Sequence, residues 1–311
     1  MSFLSTIITD NEFVVNHDDD LNKVLINQTE MKNQTKSIVY ELSSYLQRQR
    51  LLSQAEAVKN CGNFLLFKQY KNKTQDTYLD RANFCKHPLC PMCEYRKSLV
   101  EHQRLSTAMK IIPKDKFIYH LVLAVPNYNK LNKTVLMNLK SKGVYFIKKY
   151  MNIKSYFSSL EVTYSKEKGF HPHLHIIILS DEFVQVSAEY IKYMSALWKQ
   201  VFSPSDTVYD GYTFYIRGLL PQDNLHEITK YVVKGDTVDD IIDAIRKHLA
   251  PAIKGVRKYS SGGLIKKAIA EAKNIIKDNL AAELENLSEV DYYYRIYEFI
   301  GTKRGGKYVE R

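Results

Sequence analysis

Residues 155–179 have the sequence SYFSSLEVTYSKEKGFHPHLHIIIL. Two stretches rich in β-branched and aromatic residues, about Ser155–Tyr164 and Phe170–Leu179, flank the polar turn Ser165–Gly169. Strand-forming segments on both sides of a short glycine-containing turn are typical of a β-hairpin. We therefore expect two antiparallel strands here, with the histidines on the second of them.

The segments on either side of this hairpin extend the pattern. On the N-terminal side of the hairpin, we expect a strand at residues 116–125 and then a helix at Leu131–Lys149. On its C-terminal side, we expect a helix at Val184–Val201 and then a strand at Thr207–Leu219. The resulting β-α-β-β-α-β order is the split βαβ, ferredoxin-like or RRM-like pattern. It predicts an α+β fold with an antiparallel sheet, in which the first and third strands are central, helices cover one face and the other face is free.

The hairpin carries a candidate metal site. Residues two apart in a strand share a face, so His173 and His175 project together, about 7 Å apart along the strand. If the turn centres on Glu167, Glu161 lies opposite His173; a two-residue shift places it opposite His175, on the same face in either case. Two imidazoles, one carboxylate and open positions suit Mn²⁺ or Mg²⁺ bound to a phosphate. The alternative is that the histidines are ordinary surface residues on a solvent-exposed strand face and bind no metal.

A second motif pairs a tyrosine with a carboxylate. Residues 224–234 predict a short helix, on which Glu227 and Tyr231 are i and i+4, about 6 Å apart, with Lys234 three residues further on. A tyrosine oxygen can attack a phosphodiester and hold the DNA as an ester, and the carboxylate can accept a proton from Tyr231 or from water. The alternatives are that Glu227 only completes a capping box with Asn224, and that one of 23 tyrosines is core or surface.

The cysteines form a third motif. All four lie between residues 61 and 93, as Cys61, Cys85, Cys90 and Cys93. Such a set, with a Cys-x2-Cys knuckle, predicts a structural tetrahedral Zn²⁺ site in a reducing compartment, and His87 is a candidate substitute ligand. The alternative is a dithiol redox motif, which should open a helix after a strand without two further cysteines nearby. Disulfides are not expected, since nothing else in the sequence suggests secretion.

Charge indicates the class of partner. The 45 basic residues exceed the 34 acidic ones, and the net charge of +11 suits a polyanion. Apolar runs fall short of the roughly 20 residues that cross a bilayer, and the acidic N-terminus is unlike a signal peptide, so we expect a cytoplasmic protein that acts on nucleic acid and not on a membrane. Candidate DNA-binding residues mix basic and aromatic side chains, although a solvated basic surface explains any single one equally well. They are Lys254, Arg257, Lys258, Tyr259, Arg295, Tyr297, Lys303 and Arg304.

Together these residues resemble the rolling-circle replication initiators (Rep proteins) of small Gram-positive plasmids, members of the His-hydrophobic-His endonuclease superfamily. His120–Asn127 looks like the first family motif, and Glu161 with His171–His175 looks like the metal motif. Glu227–Lys234 looks like the nucleophile motif of the subgroup with one tyrosine and a nearby glutamate, and the cysteine cluster is similar to that subgroup as well. The first motif is less Thr-rich than usual, and His87 stands where arginine is expected.

The resemblance implies a mechanism and partners. Tyr231 would attack the phosphate at the nick site of a single-stranded or hairpin origin, leaving a 5′-phosphotyrosyl link and a free 3′-OH primer. A metal on the two histidines and Glu161 would polarise that phosphate. Glu227 would activate water at termination, and Lys230 or Lys234 would hold a phosphate oxygen. The implied partners are plasmid origin DNA, including the duplex beside the nick site, and the host helicase and DNA polymerase.

Four regions follow from these assignments. Residues 1–35 are expected to form a mobile or accessory arm, 36–105 a helical and zinc-binding region, 106–240 the nuclease core, and 241–311 a helical, basic region.

Two other functions stay open on the sequence alone. A single-strand transposase or relaxase of the same superfamily is one, although relaxases usually carry the nucleophile ahead of the histidines, and Tyr231 follows them. A non-catalytic zinc-containing nucleic-acid-binding protein is the other; its central strands should carry aromatic residues instead of histidines.

Overall fold

A computed structural model describes residues 14–15, 18–71, 76–205, 211–219, 225–229, 233–235, 237–247, 249–302 and 305–311. The helices in these ranges are α1 Asp18–Arg48, α2 Leu52–Lys59, α3 Pro91–Ile111, α4 Lys133–Tyr150, α5 Ala188–Phe202, α6 His226–Thr229, α7 Val238–Arg246, α8 Leu249–Ile253 and α9 Gly263–Asn286. The strands are β1 Val14–Val15, β2 Phe64–Tyr70, β3 Thr77–Ala82, β4 Phe117–Ala124, β5 Ser155–Ser165, β6 Gly169–Ser180, β7 Thr213–Gly218, β8 Val233–Gly235, β9 Tyr259–Gly262, β10 Tyr292–Thr302 and β11 Gly305–Glu310.

The chain divides into two compact units. The first unit comprises residues 1–104 and 273–311, and the second unit comprises residues 105–272. Each unit contains its own sheet. Among the described residues, none of the helices combines the length and the apolar composition that a membrane crossing requires.

The sheet of the second unit has the strand order β7-β4-β6-β5-β8, and β9 also pairs with β5. Its strands are antiparallel except for the parallel β5–β8 pair. The α+β class is confirmed, and β4, α4, β5, β6, α5 and β7 follow one another in the expected β-α-β-β-α-β order, with β4 and β6 central.

Alternation along β6 sends side chains to two different environments. Leu174 points towards α4, where Gly143 comes so close that a Cβ would lie 2.8 Å from a Leu174 methyl carbon. On the same side, the buried Trp198 of α5 donates a 2.7 Å hydrogen bond to the main-chain carbonyl of Ala124 at the end of β4. These contacts fix the backbone beneath the histidines.

The opposite sheet face is only half free, contrary to the expectation from topology. Ile177 and Leu179 pack there in a core cluster with residues of α3 and α9, including Leu105 and Ile269. The end of this face that carries the histidines is not covered by this cluster, so a ligand site can form there. The residues of β6 that directly follow the histidines are apolar. Because apolar side chains favour burial, helices cover that end of the face and leave the histidine end uncovered.

The first unit contains regular structure that the sequence patterns did not predict. Helix α1 begins at Asp18, within the expected arm, and its Leu21 and Leu25 pack on Leu65 and Phe67 of β2. The sheet order is β1-β3-β2-β10-β11, so strands lie within residues 64–82 and 292–310, where we had expected a helical and zinc-binding region and a helical, basic region. β10 is rich in Tyr and Ile, which favour strands, and its pairing with β2 links residues more than 200 positions apart.

The helix expected over residues 224–234 is wrong at its C-terminal end. Helix α6 ends at Thr229, and Val233–Gly235 instead forms β8 beside Val162–Tyr164 of β5. The outer edge of β5 pairs with β9 over Tyr156–Ser159, which leaves its C-terminal part for β8. A β-branched residue beside an available strand edge favours the sheet over the helix. Lys230 and Tyr231 lie outside the described residues.

Candidate active site

The β5–β6 hairpin determines which side chains meet. Its register pairs Glu161 with His173 and Ser159 with His175, so Glu161 lies opposite the first histidine and diagonal to the second. This is the arrangement expected for a turn centred on Glu167. Because opposite residues of an antiparallel pair share a face, all three functional side chains converge on one side of the sheet.

One carboxylate oxygen contacts both imidazoles. Oε2 of Glu161 lies 2.8 Å from Nε2 of His173 and 2.7 Å from Nε2 of His175. Glu161 is only 4% exposed, whereas the two histidine side chains remain partly accessible. The group is therefore buried on its carboxylate side and open to a ligand on its imidazole side.

The Nδ1 atoms face away from this point and have partners of their own. Nδ1 of His173 is 3.2 Å from the main-chain carbonyl oxygen of His171. Nδ1 of His175 is 3.1 Å from Nε2 of His120, on the neighbouring central strand β4. Such contacts fix the tautomer and orientation of metal-binding histidines.

The donor set fits a divalent cation. A neutral imidazole carries one N–H, so His173 cannot donate both to the His171 carbonyl and to Glu161. Donation from Nδ1 leaves the Nε2 lone pair facing a carboxylate oxygen, a repulsive contact that a bound cation converts into two ligand bonds. Neighbouring ligands of an octahedral ion, each about 2.1 Å from it, lie about 3 Å apart. Glu161, His173 and His175 can therefore hold a metal ion.

His171 belongs to the surroundings of this group. Its ring meets that of His173 edge to face, with centroids 5.6 Å apart. Burial lowers the pKa of the His171 side chain, and the nearby His173 has a smaller effect in the same direction. The three ligand candidates do not include it.

The expected nucleophile segment adjoins the site through β8. Val233 pairs with Val162, the residue after Glu161, and Lys234 pairs with Thr163. Helix α6 is fixed by the buried Ile228 and by the Thr229 carbonyl, which accepts a 2.7 Å hydrogen bond from the Tyr259 hydroxyl. The side chains of Glu227 and Lys234, like Lys230 and Tyr231, lie outside what the structure describes.

The basic turn after α8 is attached to β5. The main-chain N–H of Leu160 donates to the Lys258 carbonyl over 3.0 Å, and the ammonium of Lys140 donates to the Arg257 carbonyl. Arg257 is exposed, as a DNA contact requires. Lys258 is only 3% exposed and its ammonium lies 4.9 Å from the Tyr259 ring centroid. Of these two predicted DNA contacts, only Arg257 is presented to solvent.

The four cysteines converge in the first unit. The Sγ atom of Cys93 lies 3.6 Å from that of Cys61 and 3.7 Å from that of Cys85, and all four thiols are free of disulfides. Sulfur ligands about 2.3 Å from a tetrahedral ion are about 3.8 Å apart, so the cluster can hold a metal such as Zn²⁺. His87 is not part of it, because its Nδ1 accepts a 3.1 Å hydrogen bond from the Leu89 N–H.

Neighbouring groups stabilise negative charge on two of these sulfurs, those of Cys61 and Cys93. The Cys61 sulfur accepts hydrogen bonds from nearby thiols, and the one from Cys85 has the largest effect. These hydrogen bonds hold the pKa of Cys61 far below its usual range. The main-chain N–H of Lys86 points at the Cys93 sulfur over 3.1 Å. Lys32 of α1 donates to the Cys61 carbonyl over 2.8 Å, and burial lowers the pKa of its ammonium to about 8, although the nearby thiols oppose that shift.

Residues 76–304 match the model of a protein family described as "Replication protein". The chain belongs to this replication-protein family. Several curated relatives of the replication protein are named "Protein rep". The one from Streptococcus pneumoniae is 33% identical over 133 residues, which cover 40% of the chain but only 41% of that relative. The one from Lactiplantibacillus plantarum is 25% identical over 262 residues, or 76% of the chain and 80% of the relative.

A relative from Staphylococcus aureus is 30% identical over 172 residues, covering 50% of the chain and 71% of its own length. No solved structure gives a significant match. These findings confirm the resemblance of the replication protein to the Rep initiators of plasmids from Gram-positive bacteria.

Sequence reasoning missed two residues that support these sites. His120 stands in the strand motif, but alternation alone does not show that its ring meets His175 on the next strand. Lys32 precedes the cysteines by 29 positions, in a segment with no clear period. A half-buried lysine beside the cysteine cluster could have been expected only if α1 had been recognised as a helix beginning at Asp18.

Proposed function

We propose that this replication protein initiates rolling-circle replication by nicking single-stranded DNA at a plasmid origin, with Tyr231 as the nucleophile. The observation that carries the proposal is the convergence of Glu161, His173 and His175 on one point of an antiparallel sheet. Membership of the replication-protein family and the relatives named "Protein rep" support the same conclusion. In this reading, the second unit is the nuclease core of a His-hydrophobic-His endonuclease.

Glu161, His173 and His175 would hold Mn²⁺ or Mg²⁺, which when bound supplies Lewis-acid polarisation of the scissile phosphate. The protein's own contribution is orientation. The His171 carbonyl and His120 keep the two Nε2 lone pairs aimed at the same point as the Glu161 carboxylate. Prior orientation of this kind avoids reorganisation during the reaction.

Cleavage would replace one ester of the phosphate with another. The Tyr231 oxygen forms a bond to phosphorus and gives up its proton, while the bond to the 3′-oxygen breaks and that oxygen leaves as a 3′-OH. The DNA is then attached through a 5′-phosphotyrosyl link. The lysines at 230 and 234 would neutralise charge on the phosphate oxygens. Val233 supports this assignment, because β8 joins the segment that carries Tyr231 to β5 beside Glu161.

Glu227 would act at termination. Its carboxylate accepts a proton from a water molecule. That water then attacks the phosphate in the second cleavage, in place of a second tyrosine. The free 3′-OH from the first cleavage is a primer, so host DNA polymerase and helicase are the partners that this chemistry requires. In the first unit, Zn²⁺ on the four cysteines would be structural, because four thiolates leave no open coordination position.

The test is covalent capture of a fluorescent single-stranded oligonucleotide that carries the nick site of the plasmid's double-strand origin. With Mn²⁺ added, we expect a protein–DNA adduct that survives denaturing electrophoresis, and its loss in Tyr231→Phe. His173→Ala should abolish the metal-dependent cleavage.

Tyr215→Phe is the matched control. This tyrosine lies on β7 opposite Val122, is 45% exposed and shares the sheet face of the histidines. It should keep full activity. Undiminished adduct formation by Tyr231→Phe would overturn the assignment of the nucleophile, and failure of the wild type to cleave with any divalent metal would favour a non-catalytic DNA-binding protein.

A further inference from the structure

The sheet of the first unit has one covered face and one open face. Leu65, Phe67 and Tyr297 alternate to the covered face, where they pack against α1. The next residues along each strand point the other way, and opposite residues of β2 and β10 share that second face. On it, Tyr292 lies opposite Tyr70, and Tyr294 lies opposite Lys68.

Two tyrosine rings stand exposed on this open face. Tyr292 is 48% exposed and Tyr294 is 50% exposed, and their ring centroids lie 5.7 Å apart. The Lys68 ammonium lies 3.7 Å from the centroid of the Tyr292 ring. Further along the sheet, Ile300 is also exposed, and it pairs with Lys307 of β11.

One end of this face is closed by the protein itself. Tyr70 and Tyr78 are buried there with Leu280 of α9 and with Leu287. Tyr292 is in ring contact with Tyr70, so the exposed tyrosines begin where that cover ends. A buried aromatic cluster therefore supports the exposed rings from one side and limits their movement.

We propose that this open face, defined by Tyr292, Tyr294 and Lys68, binds single-stranded DNA by stacking of unpaired bases on the tyrosine rings. Exposed aromatic residues on one face of an antiparallel sheet are suited to unpaired bases, which expose both of their ring faces. The Lys68 ammonium lies over the Tyr292 ring and would move off it to meet the phosphate beside a stacked base, and Lys307 provides a second cation on the same face. Duplex DNA hides its bases and is not expected to use the tyrosines.

This surface is separate from the Glu161, His173 and His175 group in the second unit, so it goes beyond the proposed nicking activity. Its chemistry is also insensitive to sequence, because every base has a π-face. We expect it to hold single-stranded DNA in general, with no preference for the origin.

The first experiment measures binding of fluorescein-labelled dT20 to the full-length protein by anisotropy, without added divalent metal. Loss of a stacking ring weakens binding about 5-fold at the low end of the usual range, so the double variant Tyr292→Ala/Tyr294→Ala should bind about 25-fold more weakly. Replacing both with phenylalanine should restore binding, since stacking needs the ring and not the hydroxyl. Lys68→Gln should reduce the salt dependence by about 0.7 in log–log slope.

Tyr293→Ala is the matched control. Tyr293 lies between the two proposed stacking residues and is 45% exposed, but it points to the opposite face, where its hydroxyl donates to Gln69. Its variant should bind dT20 as the wild type does. A second experiment maps photo-crosslinks from an oligonucleotide containing 5-iododeoxyuridine; we expect them on the peptide with Tyr292 and Tyr294.

Binding of the double alanine variant within about twofold of the wild type, or crosslinks that omit this peptide, would overturn the proposal. If that variant instead changes its sedimentation with unaltered DNA binding, the face is an interface between copies of the chain. Circular dichroism melting of each variant separates loss of binding from loss of folding. The readout is independent of nicking, because binding of dT20 is measured without added divalent metal and involves no cleavage.

Discussion

Replacing His120 with phenylalanine isolates the hydrogen bond behind the candidate metal ligand His175. The two rings are nearly parallel, with centroids 5.3 Å apart, and Nε2 of His120 lies 3.1 Å from Nδ1 of His175. Phenylalanine keeps a ring in this position but removes the nitrogen. The nitrogen of His175 deprived of its partner costs about 1–3 kcal/mol. We therefore expect Mn²⁺ to bind about 10–100-fold more weakly.

The assay is calorimetric titration of the full-length protein with MnCl2, together with the Mn²⁺ dependence of oligonucleotide cleavage. Because His120 acts through His175, saturating Mn²⁺ should restore most of the cleavage rate. His171→Phe is the matched control, since His171 supports His173 through its main-chain carbonyl, which the substitution retains. If His120→Phe binds Mn²⁺ within about twofold of the wild type, or His171→Phe weakens binding equally, the proposed orienting contact is refuted.

Three further outcomes follow from the other sites. Cys90→Ser should abolish stoichiometric zinc and lower the melting temperature, whereas His87→Ala should retain zinc; elemental analysis finding no zinc in the wild type would contradict the cluster assignment. Gly169→Ala should destabilise the hairpin by about 1–3 kcal/mol in chemical unfolding, because its φ is +75° and a Cβ would lie 2.6 Å from the Tyr128 carbonyl oxygen. Glu227→Ala should nick normally but release product slowly in a single-turnover assay, and unchanged release would remove its termination role.

Local patterns determined most of what could be predicted about the candidate metal site. Side chains alternate in a strand whatever surrounds it, and the short turn between β5 and β6 leaves few registers. The positions of His173, His175 and Glu161 follow from those two facts. The contact between His120 and His175 did not, because it depends on which strand lies beside β6, and they are 55 residues apart.

The residues around Tyr231 illustrate the opposite case. Glu227 and Tyr231 have helical spacing, and a helix was the natural interpretation of residues 224–234. The pairing of Val233 with Val162 follows from the free edge that β5 offers. Local propensity is weak enough for such long-range pairing to override it. The expected helix therefore fails at Val233, where β8 begins.

The cysteine cluster shows how distant segments complete a site that a spacing motif only outlines. Four ligands were evident from the sequence, yet Lys32 of α1 contacts the Cys61 carbonyl, and the Tyr308 hydroxyl of β11 donates to the carbonyl of Gly62. Both side chains are half-buried beside the thiols, and burial raises the pKa of the Tyr308 hydroxyl. The N-terminal helix, the cysteine segment and the last strand thus meet at one point. Loss of the metal should weaken not only the Cys-x2-Cys turn but also the attachment of β11, which borders the strand carrying Tyr292 and Tyr294.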